Sequence, residues 1–217
     1  MIKVEKIFVY NIANAVYSAR NALNSWDKSD SDLKNDILGE NDLALAKRLY
    51  KAGSSHRKYL RQIFVSMDIT APLYFWKEMD QYRINVTSNS CSTMHTIHKK
   101  EFELDDFSHE HLITDDDEMF ADDEFGYTAD IVLKSVISNL NFWRTKYLKY
   151  KDKKYWWQMI QLLPSSYNQK RTVTMNYENV INIISQRSNH KLDEWHEFCD
   201  ILRDLPYIKE IMEETNE

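Results

Sequence analysis

At 217 residues, with 43% hydrophobic and 13% aromatic side chains, the chain carries enough apolar surface for one sizeable core, which excludes a disordered polymer. Only three Gly and three Pro point to long regular elements, and two cysteines, Cys91 and Cys199, exclude a disulfide framework. A net charge of −6 sets the average surface against duplex nucleic acid, while a small anion held by a few local arginines stays compatible with it.

The opening "MIKVEKIFVYNIANA" alternates charged and apolar residues where a signal peptide needs an unbroken apolar run, and no segment approaches the length of a membrane span. A soluble, cytoplasmic protein of a single domain, 1–217, is the expectation. "KVEKIFVY" predicts a strand over 2–10, and "IANAVYSARNAL" a short helix. Residues 24–40 read as a surface loop. "NDLALAKRLYKAG" predicts a helix starting near Asn41 or Asp42, with Leu45 and Leu49 on one face and Gly53 as its stop. "RQIFVSMDI" reads as a strand. "TAPLYFWKEMDQYR" reads as a helix with Thr70 as N-cap, Pro72 in the first turn and Arg83 at its end.

Residues 81–95, "QYRINVTSNSCSTMH", follow as a polar loop dense in hydroxyls and amides. Residues 101–124 carry twelve acids and no Lys or Arg, which predicts a solvated loop or acidic flap. "ADIVLKSVISNLNFWRTKYLKY" and "KKYWWQMIQLL" predict two amphipathic helices, the second ending before Pro164. "KRTVTM" reads as a strand, "NYENVINIISQR" as a helix capped by Asn176 with Val180, Ile181 and Ile184 inward, and "LDEWHEFCDILRDL" as a last helix before Pro206. Strands and helices mix without a βαβ rhythm, so the fold class is α+β.

Standard catalytic signatures are missing. There is no P-loop, GxGxxG, GxSxG or HExxH. His95 and His98, with His109 and His111, have metal-like spacing but lie on separate segments, and solvated or capping histidines explain them better. The aromatics of "YLKYKDKKYWW" suit a core better than a base-stacking surface. The 81–95 stretch remains. A nucleotide or flavin pocket needs guanidinium forks for phosphate, and amides and hydroxyls for a pyrimidine edge or ribose. Arg83, Asn89 and Ser92 offer these, although by composition alone a hydroxyl-rich loop bonding its own backbone explains the stretch better.

The order of motifs adds to this. "SHRKYLRQIFVSMDITAPLYFWKEMDQYRINVTSNSCSTM" resembles the central region of the flavin-dependent thymidylate synthases, which reads GH-x-[ST]-x-x-E-H, strand, helix ending in RHR, then S-x-N-x-x-S-x-R. Ser55-His56 stands at GH and Arg61-Gln62 at EH. Gln81-Tyr82-Arg83 stands at RHR, and Thr87, Asn89, Ser92 and Met94 at S, N, S and R after one inserted residue. "LLPSSYNQKRTVTMNYENVINIISQRSNH" is similar to the family's C-terminal segment, with Asn176, Asn182, Arg187 and His190 on its Asn, Asn, Arg and His. "AVYSARN" is similar to an N-terminal segment in which Ser18 corresponds to a flavin-contacting Ser. Residues 96–150 match only in length and helical character.

The resemblance implies an antiparallel sheet flanked by helices, a homotetramer with shared sites, and reductive methylation of dUMP. FAD would be the cofactor, with NADPH and methylenetetrahydrofolate as co-substrates. It implies that Ser18, His56, Lys58, Arg83, Asn89, Asn176, Asn182 and His190 line the flavin. Glu78, Ser92 and Arg187 would face the pyrimidine deoxynucleotide, with Ser92 and Arg187 in the catalytic set. Read alone, Arg187 also suits the C-terminal end of a helix dipole, and Asn182 a buried, satisfied amide. The departures are Gln81 and Tyr82 for Arg and His, Met94 for the closing Arg, and Ile160 or Gln161 near the Arg before LP; Lys77, Lys170 and Arg171 are the cations at hand to substitute. These losses leave a second function open, a nucleotide-binding protein of altered specificity or without catalysis, and a third, a partner-binding protein using residues 101–124.

Overall fold

The structure, a computed structural model, describes residues 2–114 and 127–213. In chain order the elements are β1 (Lys3–Tyr10), α1 (Ile12–Ala19), α2 (Glu40–Lys51), β2 (Phe64–Pro72), α3 (Leu73–Met79), β3 (Val86–Ser90), α4 (Thr93–Thr96), α5 (Ala129–Tyr150), α6 (Lys153–Leu162), β4 (Asn168–Asn176), α7 (Tyr177–Arg187), α8 (Asp193–Arg203) and α9 (Ile208–Met212). The four strands form one antiparallel sheet in the order β1-β2-β4-β3, as the α+β reading expects. No helix among the described residues is long and apolar enough to cross a membrane.

The described chain divides into two compact units. One comprises residues 70–79, 90–114 and 127–170; the other comprises 2–69, 80–89 and 171–213.

The larger unit is built on the sheet. Alternation puts Val65, Met67 and Ile69 of β2 and Val173 and Met175 of β4 on a buried face. On the opposite face Thr172 donates to Asp68 (2.6 Å) and Thr174 to Ser66 (3.2 Å). The core also takes Val180, Ile181 and Ile184 of α7, as their spacing predicts, and Trp195, Phe198, Cys199 and Leu202 of α8. Asn176 caps α7 as expected, accepting the Asn179 N–H at 3.0 Å.

The 24–40 loop has a structural role its composition hides. The Asp36 carboxylate receives the Ile12 and Ala13 amides at the start of α1, at 3.0 and 2.7 Å. Asp30 receives those of Asn41 and Asp42 at the start of α2, at 2.9 and 3.1 Å. Gly39, which has no side chain to cap with, stands at the N-cap of α2, where a Cβ would collide with the Asp30 carboxyl. Beneath them Asp42, fully buried, accepts from Arg20 Nε (2.6 Å), Ser29 Oγ (2.5 Å) and Ser31 Oγ (2.5 Å). At the other end of α2 Gly53 has φ +98°, with open space where a Cβ would stand. Gly53→Ala is therefore expected to cost about 1–2 kcal/mol from backbone strain alone, read as a lower urea midpoint at unchanged slope. An unchanged midpoint would show that the turn relaxes.

The smaller unit packs α5 on α6 around Leu133, Leu140 and Met159, with Ile97, Phe102 and Phe107 in the same cluster. This corrects the solvated reading of 101–124 in its first part. Phe102 and Phe107 are buried, and the Asn141 amide both accepts the Phe102 N–H and donates to its carbonyl, each at 2.9 Å. Residues 115–124 of that segment lie outside the described residues.

Two further expectations are corrected. Thr70 and Pro72 belong to β2 and not to a helix start, and α3 ends at Met79, so Arg83 follows a turn instead of closing a helix. The 81–95 stretch is not one loop: it contains β3, on the sheet edge, and α4, with Ser92 as its N-cap.

Candidate functional site

Residues 82–85 of the polar 81–95 stretch meet helix α7 in the larger unit. Tyr82 reaches the end of α7, where its hydroxyl donates to Gln186 Oε1 (3.0 Å) and accepts from Arg187 Nε (3.0 Å). Two turns earlier, Asn179 Nδ2 donates to the carbonyls of Ile84 (3.0 Å) and Asn85 (3.3 Å). The Arg187 guanidinium packs over an aromatic pair, 4.9 Å from the Trp195 centroid and 5.6 Å from that of Tyr82, the two rings themselves being tilted together at 6.2 Å. The His190 ring lies edge-on to Trp195 at 6.1 Å, and its Nδ1 accepts the Leu192 N–H at 3.2 Å. Arg187 and His190 thus share one aromatic centre, which a helix-dipole arginine would not require.

Asn176 and Asn182 line a cavity of about 380 Å³ together with Ile84, Asn85, Asn179, Arg61 and Glu178. Four amides and a guanidinium give it a dense set of hydrogen-bonding groups. Glu178 is held on one side by Arg57 Nε (3.4 Å) and on the other by Arg61, whose Nε bonds Oε2 and whose Nη2 is 3.4 Å from Oε1. The Arg61 hydrogen bonds, with the charge of Arg57 behind them, hold the Glu178 carboxyl below the usual carboxylate range.

Ser18, His56 and Lys58 come together on a second cavity, of about 360 Å³, with Asn21, Tyr59 and Gln62 among its walls. Ser18 Oγ lies 2.7 Å from the Ala15 carbonyl oxygen and 3.0 Å from Gln62 Oε1. Helix α1 supplies Ser18, the 3₁₀ turn Arg20–Leu23 supplies Asn21, and the turn after Gly53 with the 3₁₀ segment Lys58–Gln62 supplies His56, Lys58, Tyr59 and Gln62.

The other candidates are dispersed. Arg83 is exposed, its Nε 3.4 Å from the Asp80 carbonyl oxygen, and Asn89 is exposed on β3. In the smaller unit, half-buried Glu78 sits on α3, and Ser92 Oγ accepts the His95 N–H at 3.4 Å as the cap of α4. Sequence reading missed Tyr82 as the anchor of Arg187, Asn85, Asn179, Arg61 and Glu178 as neighbours of the candidate amides, and Arg57 as a partner of Glu178. The Asn179 spacing, three residues before Asn182 on one helix, was the signal available for one of them.

The sequence matches no protein-family model and no curated protein. Solved structures do match. A crystal structure of thymidylate synthase X (ThyX) from Helicobacter pylori with FAD and dUMP is similar with a TM-score of 0.69 and 19% identity, over 99% of this chain and 98% of that one. A structure of flavin-dependent thymidylate synthase ThyX from Helicobacter pylori complexed with FAD and dUMP is similar with a TM-score of 0.65 and 18% identity, over 98% and 97%. An antiparallel sheet flanked by helices, matched end to end at this similarity, means that the chain has the fold of the flavin-dependent thymidylate synthases.

Proposed function

We propose that this protein binds flavin adenine dinucleotide and a pyrimidine deoxynucleotide such as dUMP, and that it is an enzyme of thymidylate-synthase type, transferring a one-carbon unit from methylenetetrahydrofolate with NADPH as reductant. The observation that carries this reading is the full-length match to structures holding FAD and dUMP, combined with two amide- and hydroxyl-lined cavities built from the residues that the sequence resemblance assigns to the flavin.

The donor chemistry suits such ligands. Asn176, Asn182 and the neighbouring amides can bond a heterocycle edge or ribityl hydroxyls, and Arg61 offers a fork for phosphate oxygens. Ser18, His56 and Lys58 add a hydroxyl, an imidazole and a cation on the second cavity. Arg187, packed on Tyr82 and Trp195, would hold the nucleotide phosphate or a base oxygen. Arg83, Asn89 and His190 on the cofactor side, and Glu78 and Ser92 on the nucleotide side, complete the assignment, with the sites shared between subunits of a homotetramer. A bound flavin supplies the hydride chemistry; the side chains bind, orient and exclude water.

A second reading, a nucleotide-binding protein without standard catalysis, is favoured by Met94. It places an exposed thioether where the resemblance calls for an arginine, and its carbonyl takes the Trp156 indole N–H at 3.3 Å.

Adding FAD at about one hundred times its dissociation constant is expected to stabilise the fold by about 2.7 kcal/mol, raising the melting temperature by about 5–10 °C. Added dUMP should raise it further. Protein that melts unchanged with FAD and stays colourless would overturn the flavin reading. A shift with dUMP alone would select the second reading.

A further inference from the structure

The cavity lined by Asn85, Asn176, Asn179 and Asn182 has one charged wall, Arg61 and Glu178, and Arg57, which is outside the lining, shares the same carboxylate. Glu178 is 14% exposed, Arg57 21% and Arg61 48%. Arg57 is fixed from behind, its guanidinium 5.4 Å from the Tyr50 ring centroid. Glu178 stands in the first turn of α7, where the helix dipole also favours negative charge. With Arg57 counted, the Arg57–Glu178–Arg61 cluster carries one surplus positive charge beside amide donors. Glu178 is the one acceptor-only group among the residues that line the cavity.

We infer that Arg57 and Arg61 form a binding site for a diphosphate-bearing ligand, and that Glu178 masks this site until the ligand displaces it. A carboxylate and a phosphate compete for the same guanidinium forks, so the two cannot be fully bonded together. The Arg61 arm is half exposed, and ion pairs of that exposure are weakly held, so a ligand with more oxygens and more charge can take it over. The cavity falls within the volume range of small-molecule sites. On this view Glu178 sets a threshold: singly charged anions fail to displace it and diphosphates succeed. The identity of the ligand as the diphosphate of a dinucleotide deepens, and rests on, the flavin reading of this cavity; the masking does not.

The test is titration calorimetry of the full chain with inorganic pyrophosphate at low salt, with the melting temperature of each variant checking that it is folded. Glu178→Gln is expected to tighten pyrophosphate about fivefold by removing the competitor. Arg61→Ala and Arg57→Ala are each expected to weaken it about tenfold or more. Arg57→Lys, which keeps the charge but not the fork, should fall between wild type and Arg57→Ala. Pyrophosphate affinity that is unchanged or weaker in folded Glu178→Gln would overturn the masking. Tightening that persists when Arg57 and Arg61 are both replaced would overturn the site. Failure of FAD to bind while pyrophosphate follows the expected order would reject the flavin reading and leave the masked anion site standing.

Discussion

Asp42→Asn is expected to cost about 3–5 kcal/mol of folding stability, a large share of the roughly 5–15 kcal/mol that holds a domain together. The reason is that Asp42 is fully buried and carries four donors: two nitrogens of Arg20, at 2.6 and 2.5 Å, and the hydroxyls of Ser29 and Ser31. The asparagine keeps the volume but removes the charge beside a guanidinium that is itself only 6% exposed, and with its oxygen kept on Arg20 its NH₂ falls on the side of the two serine hydroxyls. An uncompensated buried cation is the costly outcome, more than the loss of the pair's own attraction. In a chain of this length the melting temperature should fall by about 6–20 °C, with the denaturant slope unchanged. Replacing both partners, Arg20→Met with Asp42→Leu, should regain part of the loss, because it removes the stranded charge and leaves only the two serine hydroxyls to find other partners. A loss below about 1 kcal/mol for Asp42→Asn would rank the pair with ordinary surface ion pairs.

Arg187→Ala is expected to weaken dUMP binding by about 10- to 100-fold, the range of one charge-assisted contact to phosphate or a base oxygen. Packed on the Tyr82–Trp195 pair and bonded to the Tyr82 hydroxyl, the guanidinium is positioned before any ligand arrives, so little rotamer entropy opposes its use. Arg187→Lys keeps a point charge but loses the fork and the stacking, and should recover only part of the affinity. Tyr82→Phe leaves the ring in place and removes the hydroxyl that accepts from Arg187 Nε and donates to Gln186, so it separates positioning from contact. A several-fold loss is expected there, smaller than the loss of about 10- to 100-fold in Arg187→Ala. Affinity for dUMP that is untouched by Arg187→Ala would make the residue a clamp joining Tyr82 to α7 and α8, with no part in the site.

What the sequence made legible follows from where the signals were local. The cap of α7 at Asn176, its inward Val180, Ile181 and Ile184, the Gly53 stop and the two helices on either side of Asp152 are all set by neighbours in the chain, and the structure has each of them. Thr70 misled because a Thr-x-Pro pattern before an apolar run resembles a helix start, whereas Thr70, Ala71 and Pro72 complete β2, a preference decided by the sheet. The 81–95 stretch gave no strand signal because β3 is an exposed edge strand of small polar residues, which lacks the alternation a half-buried strand shows. Phe102 and Phe107 were hidden among acids, and their burial comes from packing with α5 and α6. Of the candidate site, Asn176, Asn182, Arg187 and His190 were proposed only through the order of motifs. Their neighbours Arg57, Arg61 and Glu178 were not, because 117 or more positions separate the arginines from the glutamate that joins them.

Asn176 ends β4 and caps α7 at once, and the next amide, of Tyr177, is already bonded to the Ile63 carbonyl at 3.0 Å. Strand and helix are thus spliced without a spacer. A single residue added after Tyr177 would turn everything beyond it by about 100° about the helix axis. Such an insertion would carry Asn182 and Arg187 off their present bearings even though every side chain in the segment had been kept. At this junction chain length is the constrained quantity: related chains can diverge in composition here, but not by an insertion or deletion.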